Sequence, residues 1–186
     1  MSRFVNRRRF LAVAGSAVAA PLWIPRHVLA SAGEPGANDR IGIGYVGVGR
    51  RGNQLMGLPA EGRIVAAADV DRQRREEVAA KRNCRAYADY REMLEAGDVD
   101  ACIIATPDHW HVIPAIHACQ AGKDVYLEKP LSLTILEGRR LVDAVLKHGR
   151  VLQTGSQRRS MKYHRLGCEM VRSGLIGPVE TVLIDN

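Results

Sequence analysis

The chain has 186 residues, of which 46% are hydrophobic and 25% are charged. This composition is globular, and it excludes a collagen-like chain, a wholly disordered chain and a small disulfide-rich scaffold. The formal net charge is +7, but residues 1–30 hold five arginines and no acidic residue, which leaves +2 for the rest. A nucleic-acid-binding domain carries its positive charge on the folded surface, whereas here most of the excess charge lies in the leader. No nucleic-acid partner is therefore expected.

Residues 1–32 have the three parts of an export signal: arginines, the apolar run Leu11 to Ile24, and small residues up to Ala30 or Ala32. The run would cover roughly 21 Å of a hydrocarbon core about 30 Å thick, so no permanent membrane span is expected. Its start, Arg7-Arg8-Arg9-Phe10-Leu11, resembles a twin-arginine signal. We therefore expect contact with the twin-arginine export machinery and a periplasmic or otherwise exported protein. An uncleaved anchor or a disordered tail is the alternative.

After a linker at residues 33–38, short apolar runs alternate with amphipathic stretches, which predicts successive β–α units and a parallel sheet. Strands are predicted at Ile41–Val46, Ile64–Ala68, Ala86–Tyr87, Val99–Ala105, Asp124–Leu127 and Val151–Gln153. Helices are predicted at Gly52–Leu58, Arg72–Arg82 and Tyr90–Ala96, from Pro107 to Ala121, from a Thr134/Glu137 capping box to Gly149, and at Met161–Ser173. The predicted fold class is α/β, with one domain over residues 39–160.

A glycine-rich loop, Gly47-Val48-Gly49-Arg50-Arg51-Gly52, lies between the first predicted strand and the helix after it. In a doubly wound Rossmann-type sheet, Gly47 makes the turn, Gly49 lets the backbone approach a pyrophosphate, and Gly52 allows close packing of helix and strand. Asp69 follows the second strand, where a carboxylate accepts hydrogen bonds from the ribose hydroxyls of a dinucleotide. The loop, with Arg50 and Arg51, and Asp69 are therefore predicted to bind a cofactor.

The Asp69 carboxylate would repel a ribose 2′-phosphate, so NAD is expected rather than NADP. Three arginines follow it, namely Arg72, Arg74 and Arg75. They would neutralise a phosphate if they folded back over the loop. On a charged helix, however, a solvated face is favoured for them.

Two further polar runs, Ala105 to His111 and Tyr126 to Pro130, follow the fourth and fifth strands, at the sheet edge where ligands bind. Lys129 is a candidate to donate a hydrogen bond to a substrate hydroxyl or to set a proton-transfer pKa. His109 and His111 have no third ligand at a fitting spacing, so capping or cofactor packing is favoured over a metal site. Reduced structural thiols are favoured for the four cysteines, Cys84, Cys102, Cys119 and Cys168.

Together these motifs resemble the glucose-fructose oxidoreductase, inositol dehydrogenase and MocA family, through the glycine loop, Ala68-Asp69-Val70, Thr106-Pro107 with His111, Ala121-Gly122-Lys123 and Glu128-Lys129-Pro130. The resemblance implies a nicotinamide cofactor with Lys129 as a catalytic residue beside the nicotinamide. It implies a cofactor lining of Thr106, Pro107, Trp110, His111 and Glu128, and often a cis Lys129–Pro130 peptide. It also implies a sugar or cyclitol substrate, and it allows a homo-oligomer of the full-length protein.

Members of this family carry a second α/β domain that supplies the substrate floor and a catalytic histidine. Residues 161–186 resemble the connecting helix and the first strand of that domain, at Gly177 to Ile184. We therefore expect the start of a truncated second domain. The sequence leaves three interpretations open: the NAD-binding domain of an exported oxidoreductase acting on a sugar or cyclitol, an NAD-binding fragment without turnover, and part of a redox-neutral, NAD-dependent glycoside-cleaving enzyme.

The leader yields a testable prediction. Residues 1–32, fused to a reporter that works only when it is exported in the folded state, are expected to deliver the reporter. Changing Arg7 and Arg8 to Lys is expected to stop delivery, because the twin-arginine route depends on the arginine pair. Reporter activity outside the cytoplasm measures the result, and delivery that survives the double change would contradict the assignment.

Overall fold

The structure is a computed structural model of the chain, and it describes Gly36 and residues 39–184. The chain divides into two units, residues 1–40 and residues 41–186. In the first unit, the N–H of Gly36 donates a hydrogen bond to Asp39 Oδ2 at 3.1 Å. The predicted export signal and most of the predicted linker lie outside the described residues.

The second unit is built on a sheet of six strands: β1 (Ile41–Val46), β2 (Gly62–Ala68), β3 (Arg85–Tyr87), β4 (Ala101–Ile104), β5 (Asp124–Glu128) and β6 (Leu152–Gly155). Their order is β3-β2-β1-β4-β5-β6, and every neighbouring pair is parallel. This is the strand order of a doubly wound dinucleotide-binding sheet. The predicted fold class is therefore confirmed.

Six α-helices connect or follow the strands: α1 (Arg50–Gln54), α2 (Arg72–Arg82), α3 (Tyr90–Leu94), α4 (Val112–Gln120), α5 (Ile135–His148) and α6 (Lys162–Arg172). Two short 3₁₀ turns lie at Asp108–Trp110 and Gln157–Ser160. The predicted capping box at α5 is present, since the side chain of Thr134 accepts from Glu137 N and the Glu137 side chain accepts from Thr134 N. Within the described part of the chain, no helix is long and apolar enough to cross a bilayer.

Three predicted elements differ from the structure. Helix α1 is short and ends before Leu55, whose carbonyl oxygen accepts a hydrogen bond from the buried Tyr45 hydroxyl at 2.8 Å. The helix predicted to start after Pro107 is a 3₁₀ turn followed by α4, because Thr106 Oγ1 donates to the carbonyl oxygen of Trp110 and tightens that turn.

The strand predicted at residues 177–184 is absent, and these residues are exposed. A strand is stabilised by hydrogen bonds to a neighbour, and in the described residues no strand pairs with this segment. Its assignment to a second domain, together with α6, stays a prediction.

Apolar residues of the inner strands pack on both faces of the sheet. Val46 and Ala68 belong to one buried cluster, with side chains from α3, α4 and α5, whereas their neighbours Tyr45 and Ala67 belong to a second cluster with Val78 of α2. Successive side chains of a strand point to opposite faces, so a strand covered on both sides needs an unbroken apolar run. The run from Ile64 to Ala68 meets this need.

The glycine loop depends on two positions without a side chain. Gly47 has φ +83°, and a Cβ there would lie 2.8 Å from the carbonyl oxygen of Ala105. A Cβ on Gly52 would clash with the carbonyl oxygen of Gly47. Helix α1 therefore packs directly against the turn that ends β1, and the loop is held at the crevice between β1 and β4.

Candidate active site

A cavity of about 640 Å³ lies at the carboxyl ends of the strands, where the strand order reverses between β1 and β4. Its volume is in the range of small-molecule sites. Eight of the predicted cofactor-binding residues line it: Gly47, Gly49, Arg50, Arg51, Asp69, Thr106, Pro107 and Trp110. The predicted positions from three separate segments of the chain thus meet at one crevice.

Asp69 is fixed between the glycine loop and the start of α2. Its Oδ2 accepts a hydrogen bond from the backbone N–H of Val48 at 2.9 Å, and its Oδ1 accepts one from the N–H of Asp71 at 2.9 Å. Each carboxylate oxygen has two lone pairs, so both can accept one more hydrogen bond from the cavity side. The carboxylate can therefore hold a diol while it also ties the glycine loop to β2.

Of the three arginines after Asp69, one reaches the cavity. Arg74 lines it, with Nη1 3.7 Å from the position that a Cβ of Gly49 would occupy. Arg72 pairs instead with Glu76 along α2, and Arg75 donates to the backbone carbonyls of Asp69 and Val70 at 3.2 Å. Arg74 is also 59% exposed and pairs with Asp71, 3.3 Å from its Nε, so it belongs to the solvated face of α2 and also borders the cavity beside Gly49.

Glu128 and Arg51 form an ion pair between β5 and α1. Arg51 Nε and Nη2 both donate to Glu128 Oε1, at 2.8 and 2.5 Å, while Glu128 Oε2 accepts from the backbone N–H of Lys129 at 3.0 Å. The Glu128 side chain is only 3% exposed, and a Cβ at Gly155 would lie 2.9 Å from its Oε1. Glu128 does not line the cavity, so its chief contact is with the arginine of the glycine loop.

Thr106 and His111 join the loop after β4 to the loop after β5. His111 is 1% exposed, its Nε2 lies 2.9 Å from the carbonyl oxygen of Thr106, and its Nδ1 lies 2.6 Å from that of Pro130. The ring is thus packed between two backbone carbonyls rather than on the cavity wall. Trp110 lines the cavity and is 46% exposed.

Lys129 is exposed and does not line the cavity. Its peptide bond to Pro130 is cis, as the family resemblance implies. Its two neighbours in the chain are the residues held by Arg51 and by His111. The ammonium group therefore stands on a segment that is fixed on both sides.

The cavity also has residues that the sequence analysis did not assign to it, namely Asp89, Tyr90 and Arg91 from the segment after β3. Hydrogen bonds from Arg91 lower the pKa of Asp89, and burial raises the pKa of Tyr90. At neutral pH the carboxylate is therefore charged and the phenol neutral. The sequence carried this signal, because the predicted strand before Asp89 ends at the same sheet edge as the three other strands that border the cavity.

Of the remaining candidate groups, His109 also lines the cavity, whereas the four cysteines do not. All four cysteines are free, and burial raises the pKa of the Cys102 thiol to about 12. Cys102 and Cys119 are buried, Cys84 is half-buried and Cys168 is exposed on α6. Between residues 39 and 184, no group of three His, Cys, Asp or Glu side chains is arranged to hold a metal ion.

The Arg51–Glu128 pair yields a prediction about stability. Arg51→Ala leaves the buried Glu128 carboxylate without its cation. We expect the free energy of unfolding to fall by about 3 kcal/mol, near the lower end of the cost of breaking a buried ion pair. Arg165→Ala breaks an exposed pair with Glu169 on α6 and is the matched control, with no resolvable effect expected. Urea denaturation measures both variants, and equal stability of the two would contradict the role given to the pair.

The family model that describes an oxidoreductase family with an NAD-binding Rossmann fold, Gfo/Idh/MocA, matches residues 41–156. Among curated relatives, the chain is 33% identical over 148 residues to an inositol 2-dehydrogenase of Rubrobacter xylanophilus, covering 76% of this chain and 42% of the relative. It is 31% identical over 144 residues to the rhizopine catabolism protein MocA of Rhizobium meliloti, covering 74% and 44%. The chain thus spans about two fifths of these relatives' length.

Solved structures agree with this. The scyllo-inositol dehydrogenase of Lactobacillus casei with bound NAD(H) and scyllo-inositol is 27% identical, with a TM-score of 0.67, over 74% of this chain and 42% of that one. The myo-inositol 2-dehydrogenase of Lactobacillus plantarum is also 27% identical, with a TM-score of 0.70, over 75% and 43%. The chain belongs to the Gfo/Idh/MocA oxidoreductase family and has its NAD-binding Rossmann fold.

Proposed function

We propose that this chain binds NAD(H) for an oxidoreductase that moves a hydride between the nicotinamide and a carbon bearing a hydroxyl or ketone in a sugar or cyclitol. The observation that carries the proposal is the Asp69 carboxylate, held by two backbone N–H groups at the crevice of a 3-2-1-4-5-6 sheet. The relatives named above as inositol dehydrogenases support the class of substrate.

The residues at the crevice fit the proposed cofactor. Where a pyrophosphate would approach, the backbone at Gly49 has no Cβ, and the N–H groups of Arg50 and Arg51 open α1 and so have no partner within that helix. Helix α1 has only five residues, so the loop N–H groups and Arg50 would contribute more than a helix dipole. Thr106, Pro107 and Trp110 would face the rest of the dinucleotide from β4.

Bound NAD⁺ supplies the acceptor for the hydride at its nicotinamide ring. The protein's own part is to orient the reacting carbon and to move a proton at the substrate oxygen. We assign the second task to Lys129, because an ammonium group beside a rigid proline can hold or release a proton at a hydroxyl. A redox-neutral cycle, which removes and returns the hydride, would use the same groups.

The proposed setting is outside the cytoplasm. The arginine pair and apolar run of residues 1–32 support export through the twin-arginine route, which carries folded proteins. A domain that loads its dinucleotide before transport suits that route. The contact with the export machinery is part of this proposal.

The proposed cofactor preference has a direct test. The chain without residues 1–32 is expected to bind NAD(H) more tightly than NADP(H) in calorimetry, because the Asp69 carboxylate repels a 2′-phosphate. Asp69→Ser is expected to narrow the difference by weakening NAD(H) binding and relieving the repulsion. Asp69→Asn is the isosteric control, since it removes the charge and keeps one acceptor oxygen.

Arg74 would act against this preference, because its positive charge at the cavity would attract the 2′-phosphate of NADP(H). Equal affinity of the unchanged protein for the two cofactors would contradict the preference and would assign the balance to Arg74. Arg74→Gln would then restore a preference for NAD(H). If neither cofactor binds, the proposed function is wrong.

Hydride transfer is tested with a panel of sugars and cyclitols and NAD⁺, followed by NADH absorbance. We expect the 186-residue chain to bind the cofactor and to show no turnover, because holding the reacting carbon in place accounts for roughly 7–11 kcal/mol of such barriers. In this family, the resemblance assigns that positioning to a second domain. Robust turnover by the 186-residue chain would contradict this expectation.

A further inference from the structure

His111 occupies an unusual position for a histidine beside a candidate site. Its side chain is 1% exposed, and both ring nitrogens face backbone carbonyl oxygens, Thr106 O at 2.9 Å and Pro130 O at 2.6 Å. A carbonyl oxygen only accepts, so each of these bonds needs a hydrogen on the ring nitrogen. A neutral imidazole carries one ring hydrogen, so it donates to one of the two carbonyl oxygens, and the shorter contact is the one from Nδ1 to Pro130.

The two carbonyls belong to different loops. Thr106 follows β4 and lines the cavity, whereas Pro130 follows β5 and comes directly after Lys129. The backbone of His111 is itself fixed at the start of α4, where its N–H donates to the carbonyl oxygen of Asp108 and its carbonyl oxygen accepts from the N–H of Ala115. Ala115 is fully buried in the main core cluster. The ring is thus anchored on a rigid element and reaches out to two loops.

Lys129 is consequently held from both sides. On one side, Glu128 is tied to Arg51 and to the Lys129 N–H, and on the other, the carbonyl oxygen of Pro130 meets His111 Nδ1. The Lys129 side chain itself is exposed, and within residues 39–184 its ammonium has no hydrogen-bond partner. Its location relative to the cavity is therefore set by the backbone of residues 128–130 and not by contacts of its own.

We propose that His111 is a positioning residue, whose Nδ1 holds the Lys129–Pro130 segment through the carbonyl oxygen of Pro130 and so sets the distance of Lys129 from the bound cofactor, while Nε2 packs against the carbonyl oxygen of Thr106. This rests on the proposed function for the cofactor and for Lys129. It differs from a role as a residue of the cofactor lining, because neither ring nitrogen is free for a ligand.

The two bonds can be separated by substitution. In His111→Asn the amide nitrogen replaces Nδ1 and keeps a donor for Pro130, whereas in His111→Gln the amide nitrogen replaces Nε2 and keeps a donor for Thr106. His164→Asn and His164→Gln are matched controls, because His164 is exposed on α6. All variants are made in the 186-residue chain.

The readout is the rate at which acetic anhydride modifies Lys129, measured by mass spectrometry with and without NADH, with the exposed Lys162 as internal reference. At an NADH concentration ten times the Kd of each protein, we expect protection of Lys129 by about tenfold in the unchanged chain and in His111→Asn. Calorimetry first shows that His111→Gln still binds NADH. At the same saturation, the protection of Lys129 in this variant is expected to fall to about twofold or less. A change in overall stability alone would not separate the two variants in this way.

Equal protection in His111→Asn and His111→Gln would overturn the proposal, as would bound NADH that leaves Lys129 unprotected in the unchanged chain. If neither variant folds, NMR of the unchanged chain tests whether His111 holds the carbonyl oxygen of Pro130. A ring N–H of His111 that exchanges slowly and couples across the hydrogen bond to the Pro130 carbonyl carbon supports the proposal. A ring N–H that exchanges as fast as that of His164 overturns it. If no protein binds NADH, the proposed function fails, and the NMR result still decides whether His111 holds Pro130.

Discussion

The candidate site depends on a contact between two stretches of backbone. The carbonyl oxygen of Gly47 lies against the Cα of Gly52, and the turn at Gly47 lies against the backbone of Ala105. Because no side chain separates these segments, α1 starts at the crevice between β1 and β4 and not above it. Any residue larger than glycine at position 52 would push α1, and with it Arg51, away from the sheet.

The position of α1 in turn decides what Arg51 can reach. From the start of the helix its guanidinium extends to Glu128 at the end of β5, two strands away from β1 in the sheet. A carboxylate as buried as that of Glu128 is costly without donors, and it has three: two N–H groups of Arg51 and the N–H of Lys129. The pair thus fixes the register between the glycine loop and the segment that holds Lys129.

The sheet was predictable because its signals are local. Unbroken apolar runs such as Ile64–Ala68 mark inner parallel strands, and a capping box marks the start of α5. The rule that ligands bind at the carboxyl ends of the strands also predicted the crevice. Helix α1 was placed too late and too long, because the Tyr45 hydroxyl that satisfies Leu55 comes from ten residues upstream.

The contacts that could not be predicted from a single sequence are those between residues far apart in the chain. Arg51 and Glu128 are 77 positions apart, and both are residue types that a cofactor site would use. His111 and Pro130 are 19 apart, and a backbone carbonyl gives no signal in the sequence. The sequence does not distinguish Arg74 from the two other arginines after Asp69 as a residue of the cavity. Only the geometry of α2 shows that Arg74 borders it.

The half-buried Arg51 and the buried His111 thus hold the backbone on either side of Lys129, whose own side chain is exposed. Arg51 reaches the residue before it from the β1 side of the crevice, and His111 reaches the residue after it from the β4 side. A lysine ammonium is strongly hydrated and its side chain is flexible, so holding it by its own contacts would remove donors that a substrate needs. Fixing the backbone on both sides leaves all three donors free while it limits where they can go. This arrangement suits the role proposed for Lys129 at a substrate hydroxyl.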